Sequence, residues 1–142
     1  MDANEEYLNY IYQNAKMGTD TLGQLINIAE DKEFTSTLNS QFREYESIEK
    51  KAEEYLKQRN KEEKDISLFQ KVSADVMINV KTLTDKSASH IAGMLMQGST
   101  MGVIDIIKNN RKYNGADSEI KELGQRLLTL EENNINECKR YI

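Results

Sequence analysis

The chain has 142 residues, with 19 Lys+Arg against 24 Asp+Glu and a formal net charge of −5, enough for one domain (1–142) that buries a real core without disulfide or metal staples. The acidic balance argues against a nucleic-acid groove, which needs a basic stripe, and against electrostatic docking on an anionic membrane. No Pro, no Trp and 30% charged residues point to long uninterrupted helices.

From Leu8 the apolar or small positions step through Ile11, Ala15, Gly18, Leu22, Leu25 and Ala29. Spacings of three and four place them on one face of a helix. The charged stretch Glu30–Glu33 breaks that stripe and contains the turn. A second stripe, Leu38, Phe42, Tyr45, Glu49, Ala52 and Leu56, ends near Asn60, after which Lys61–Asp65 reads as a solvated connection. Leu68, Val72, Val76 and Val80 suggest a shorter helix from Ser67 to Leu83, with Asp85-Lys86-Ser87 supplying turn and N-cap chemistry. A long helix follows from Ala88 through Tyr113. Asn114-Gly115 ends it, because both tolerate the left-handed conformation used at many helix stops. Asp117 or Ser118 caps the last helix, whose stripe is Ile120, Leu123, Leu127, Leu130, Asn134, Cys138 and Tyr141.

Strand signals are weak throughout, and short connections favour antiparallel neighbours. The expected fold is all-α: an antiparallel four-helix bundle of two helical hairpins, with the short extra helix in the long connection between helices 2 and 3. The N-terminal residues Met1–Glu6 are acidic, unlike a secretory leader. The most apolar stretch, Ile91–Ile107, is interrupted by Gln97, Gly98, Ser99, Thr100, Gly102 and Asp105, so it does not read as a membrane span. The single cysteine, Cys138, cannot close an internal disulfide, which fits a reducing compartment and a cytoplasmic location.

Polar residues intrude on the core stripes. Glu46-x-x-Glu49 on the second helix matches Glu131-x-x-Asn134 on the fourth, and Gly18-Thr19 on the first matches Gly98-Ser99 on the third. Two hairpins facing each other across a bundle would account for this weak internal repeat. The layout resembles the ferritin-like, rubrerythrin-like superfamily, and within it a bacterial branch that inserts a short helix before the third long helix, as Asn79–Leu83 would here. Di-iron members of the superfamily use one Glu from each of two helices and a Glu-x-x-His from each of the others.

The resemblance implies where metal ligands would stand, and most are replaced. Thr19 and Ser99 follow the inner glycines where the family has Glu; Glu49 and Asn134 stand where it has His. Glu46 and Glu131 alone keep the expected type. Two or three carboxylates, two hydroxyls and an amide supply neither the charge nor the imidazoles that a di-iron centre needs. The expectation is a degenerate metal site with no cofactor. Thr19, Glu49, Ser99 and Asn134 then form a core polar network that fixes helix register. A carboxylate-rich metal site at Glu46, Glu49 and Glu131, in a binding protein or di-metal oxidoreductase, is the alternative.

A second alternative is a copper site of soft donors, His90, Met94 and Met101, with Met96 and Asp105 near, although methionines on an apolar helix are usually packing material. Gly18, Gly98 and Gly102 suggest close helix approach at the bundle centre. Tyr7, Tyr10 and Tyr12 crowd the first helix beyond its stripe, suggesting surface buried against a partner. No zinc spacing, phosphate loop or dinucleotide fingerprint is present, which weighs against an enzyme. The functional expectation is a non-catalytic structural or interaction protein, a homodimer, with stress or spore physiology suggested only by analogy between folds.

Overall fold

A computed structural model describes residues 2–61, Val80 and 83–142. Among these residues the structure is helical with no strand: α1 (Ala3–Ile28), α2 (Lys32–Gln58), α3 (Ala88–Lys112) and α4 (Ser118–Cys138), closed by a 3-10 turn at Lys139–Tyr141. The short helix expected over 67–83 falls largely outside the described residues; Val80 and Leu83 pack against the core. No helix among the described residues is long and apolar enough to cross a membrane.

Local chemistry sets most helix ends. Asp2 Oδ1 accepts from the Glu5 amide at 2.7 Å, Asp31 Oδ1 from Phe34 at 2.8 Å, and Ser87 Oγ from His90 at 3.2 Å. Each satisfies an amide that the first helical turn leaves unpaired. Asp117 occupies the cap position of α4 but makes no side-chain cap bond. Its carboxylate instead meets Arg59 at 3.1 Å, while Asn4 Oδ1 accepts from its amide at 2.9 Å.

The left-handed stop is found at α2 rather than α3. Asn60 has φ of 56° and is the only described non-glycine residue with positive φ. Lys61 N–H bonds to Leu56 O and Asn60 N–H to Lys57 O, the paired bonds of a Schellman motif. Gly115 does not adopt positive φ. There α3 ends in a turn in which Ala116 N–H reaches Tyr113 O at 3.0 Å. Ala116, 5% exposed, is drawn into the core, so burial beyond the turn guides the chain without a left-handed residue.

The helices pack in a bundle-like arrangement around one buried cluster that includes Leu8, Ile11, Leu25, Leu38, Ile106 and Leu127. The stripes of α1 and α4 lie inward as their spacing predicts. On α2 the inner face sits one residue earlier at two positions: Gln41 and Ile48 are buried, whereas Phe42 and Glu49 are only half-buried. Sequence reasoning chose the bulky Phe42 over the polar Gln41 and thereby carried Glu49 onto the seam.

Two of the three crowded tyrosines of α1 turn inward, while Tyr10 stays half-buried. Tyr7 and Tyr12 are buried within this chain, at 1% and 7% exposure, and need no partner to cover them. Tyr7 stacks on Tyr113 with ring centroids 5.1 Å apart, and its hydroxyl donates to Asn110 Oδ1. Gly124 makes room for it, since a Cβ there would stand 2.6 Å from Tyr7 Cζ. At the other end of the chain, Tyr141 packs against Phe34 at 4.8 Å and shares a hydrogen bond of 2.8 Å with Thr37, holding the terminal turn to the start of α2.

Candidate functional site

A half-open cavity of about 80 Å³ is lined by all four helices, with Asn14, Met17, Gly18, Thr21 and Leu22 of α1, Gln41 and Tyr45 of α2, Met94, Leu95, Gly98, Ser99 and Gly102 of α3, and Glu131 and Asn134 of α4 on its walls. The glycines on α1 and α3 make the space. A Cβ on Gly18 would approach the Tyr45 ring to 2.5 Å, and one on Gly102 would touch the Glu131 carboxyl at 3.4 Å. At Gly18, α1 therefore admits the Tyr45 ring where an alanine would crowd it, whereas an alanine at Gly102 would make ordinary contact with Glu131.

Tyr45 organises the polar wall. Its hydroxyl accepts from Asn134 Nδ2 at 3.1 Å and donates to the Glu131 carboxylate. The Ser99 hydroxyl also bonds Glu131. Burial pushes the Glu131 carboxyl up from 4.5 to about 7, against the opposing pull of the Tyr45 and Ser99 hydrogen bonds. Burial and the adjacent Glu131 together hold the Tyr45 phenol well above 10, so it stays neutral. Gln41 Nε2 and Asn134 Oδ1 are buried without a close nitrogen or oxygen partner, on side chains exposed by 3% each, and Gln41 is turned toward the Cys138 thiol.

The polar residues expected on the core stripes thus divide into two groups. Ser99 and Asn134 meet at the cavity through Tyr45 and Glu131. Thr19 and Glu49 form a separate, half-buried pair in which the Thr19 hydroxyl donates to Glu49 Oε1 at 2.8 Å. Glu46 stands apart from both: its side chain is 44% exposed and lies 3.8 Å from Lys50.

The three carboxylates proposed as alternative metal ligands accordingly have three different settings. Among the described residues no group of three or more His, Cys, Asp or Glu side chains is arranged to hold a metal ion. At the cavity, one buried carboxyl with a raised pKa, three carboxamides (Asn14, Gln41, Asn134) and three hydroxyls (Thr21, Tyr45, Ser99) form the polar set. That set does not fit a di-iron centre, whose two cations require several carboxylates and imidazole nitrogens. The soft donors also part. His90 is exposed 4.0 Å from Asp85, Met94 lines the cavity, and Met101 is 45% exposed.

Sequence reasoning missed Gln41, the role of Tyr45, and a second polar contact in which Tyr10 OH donates to Asp105 Oδ2 at 2.5 Å. Burial, with the hydrogen bond to Asp105, raises the Tyr10 pKa far above its ordinary value. A polar residue in register with the α2 stripe was the available signal for Gln41. Nothing in the spacing could pair Tyr10 with a residue on a distant helix. Cys138 is buried, and desolvation lifts its thiol to about 11 with Gln41 opposing the shift, so it is inert at neutral pH. No protein-family model, curated protein or solved structure matches this chain.

Proposed function

We propose that this protein is a non-catalytic ferritin-like bundle, a homodimer with a structural or interaction role, whose inter-helix centre has exchanged metal ligands for a hydrogen-bonded polar wall. The observation that carries the reading is the convergence of Gly18, Gly98, Ser99, Glu131 and Asn134 on one central cavity. Of the six positions that the family resemblance would give to metal ligands, Ser99, Glu131 and Asn134 line this cavity, while Thr19, Glu46 and Glu49 lie off it. The contact order supports two antiparallel hairpins. Moving along α1 from Gly18 to Gly23, the α2 neighbour falls back from Tyr45 to Phe42, and moving along α3 from Gly102 to Asn110, the α4 neighbour falls back from Glu131 to Gly124.

Met101 and Ile104, 45% and 53% exposed and one turn apart on α3, supply apolar surface suited to a second copy. Elemental analysis with light scattering tests the reading. The expected result is a particle of twice the 16.4 kDa chain mass, no stoichiometric iron, manganese, zinc or copper, and dissociation on Ile104→Lys. Two metal ions per chain, or a monomer in the unaltered protein, would refute the corresponding half of the proposal.

A further inference from the structure

The carboxyl on the cavity wall has no counter-charge. Glu131 is 7% exposed, and its bonds run to two neutral hydroxyls, those of Tyr45 and Ser99. Among the described residues no Lys, Arg or His forms an ion pair with it. Three neighbours place it on the cavity. Tyr45 and Ser99 line the same space, and so does Gly102, where a Cβ would stand 3.5 Å from both carboxyl oxygens. Gln41 and Asn134 also border a cleft on the α2–α4 side, whereas Glu131, Ser99 and Gly102 do not. The titratable groups beside Glu131 are phenols: Tyr45 of α2, and Tyr10 of α1, which is bonded to Asp105 of α3. Both phenols stay protonated at neutral pH and supply no positive charge. A carboxyl buried in this way either keeps its proton or takes a cationic partner.

We propose that the cavity binds a short primary alkylammonium ion, its N–H donors on Glu131 and Ser99 and its carbon chain along Met17, Leu22, Met94 and Leu95. An ammonium carries three N–H donors and no acceptor. The Glu131 carboxylate takes one of them in a charge-assisted bond. Ser99 Oγ, whose own proton goes to Glu131, keeps its lone pairs for a second. The third is left to Thr21 or Asn14, which line the α1 wall, or to water at the open side. Asn14 Nδ2 already donates to Tyr10 O at 3.0 Å, so its oxygen is the end that can accept. An alcohol or a carboxamide brings no charge to Glu131, and a carboxylate meets a like one. A bare inorganic cation gains nothing from the methionines and leucines. The volume of about 80 Å³ is about half that of a cavity that admits benzene, which leaves room for the nitrogen and two or three carbons. Nothing in this chemistry depends on a ferritin-like or dimeric bundle, so the binding can fail while that reading stands.

The test is a ¹H–¹⁵N NMR titration of the full chain with propylammonium, following the backbone amides of Gly98, Ser99 and Gly102 at constant ionic strength. It is run at pH 8, above the value of about 7 at which Glu131 ionises. Comparators are tetramethylammonium, which has the charge without N–H donors, potassium, 1-propanol and propionamide. A ligand of so few atoms is expected to bind with a Kd of about 1 mM. Saturable shifts of the three amides are expected with propylammonium, and binding at least about tenfold weaker with each comparator. Glu131→Gln, which keeps the shape and removes the charge, is expected to weaken propylammonium at least about tenfold with an unchanged circular dichroism spectrum. Absence of saturable shifts in the unaltered chain would overturn the proposal. Equal binding of tetramethylammonium or potassium would reduce it to general attraction toward an acidic chain, and equal binding of a neutral comparator would remove the role of charge. Undiminished binding by Glu131→Gln would place the ligand elsewhere. Should that variant fail to fold, the ligand series on the unaltered chain decides.

Discussion

Helices α1 and α3 have similar lengths, 26 and 25 residues, yet the first buries ten side chains and the second only Ile91, Ala92 and Ile106. On α1 the buried residues include three polar ones, Glu5, Asn9 and Gln13. On α3, by contrast, Met101 and Ile104 remain exposed. Hydropathy alone would have reversed the assignment, since Ile91–Ile107 is the most apolar stretch of the sequence. The neighbours explain the difference. α1 inserts Tyr7 where Gly124 yields space, whereas α3 presents Gly98, Ser99 and Gly102 to a cavity. Burial follows what stands opposite a residue, and that cannot be read from one helix at a time.

The largest expected effect tests this contrast directly. Ile11 on α1 is fully buried and Ile104 on α3 is 53% exposed. Ile11→Ala is expected to destabilise by about 2–5 kcal/mol, through lost transfer energy and the cavity left behind. Ile104→Ala should change the stability of the chain by less than about 0.5 kcal/mol. Urea denaturation of the two variants at one dilute protein concentration measures the difference. Similar losses in both would mean that α3 is as tightly held as α1.

The second effect concerns the cavity wall. Glu131 holds its proton more tightly in the folded chain, at about 7, than in the unfolded chain, at 4.5. Between those values the native state binds more protons, so the contribution of Glu131 to stability falls as pH rises from about 4.5 to about 7 and stays low above. The difference amounts to about 3 kcal/mol. Glu131→Gln removes this titration while keeping the shape. Relative to the unaltered chain, the variant should gain about 3 kcal/mol between pH 4 and pH 8, measured by denaturation at both. An unchanged difference between the two proteins would show that the carboxyl is hydrated.

These comparisons also show what could be read from the sequence. The extents of the four long helices and the inward faces of α1 and α4 were legible, because apolar residues recur at spacings of three and four. Ser87 was legible as a cap because capping chemistry is local. Gly18, Gly98 and Gly102 were read as places of close helix approach; they line a cavity instead, with Gly18 facing the Tyr45 ring and Gly102 the Glu131 carboxyl. The inner face of α2 was misread at Gln41 and Ile48, since a buried amide looks solvated until its surroundings are known. The Tyr7–Asn110 and Tyr10–Asp105 contacts join residues about a hundred positions apart. No spacing within a helix encodes such pairs. The polar wall was half legible: Asn134 and Ser99 stood out, while Tyr45 passed for core.

Glycine gives the smallest and sharpest test, because one substitution should have opposite signs on the two helices. A Cβ on Gly18 would meet three atoms of the Tyr45 ring within 2.7 Å, and that ring is itself buried and tied to Asn134. The ring cannot retreat without breaking the polar wall, so Gly18→Ala is expected to destabilise by about 1–3 kcal/mol. A Cβ on Gly93 would meet nothing within 4 Å. There alanine brings only its lower backbone entropy cost in a helix, and Gly93→Ala should stabilise by about 1 kcal/mol. Melting temperatures that move in opposite directions would locate the close approach at α1 and the open space at α3. A gain at Gly18 would mean that Tyr45 is free to move and that the cavity wall is softer than its hydrogen bonds imply.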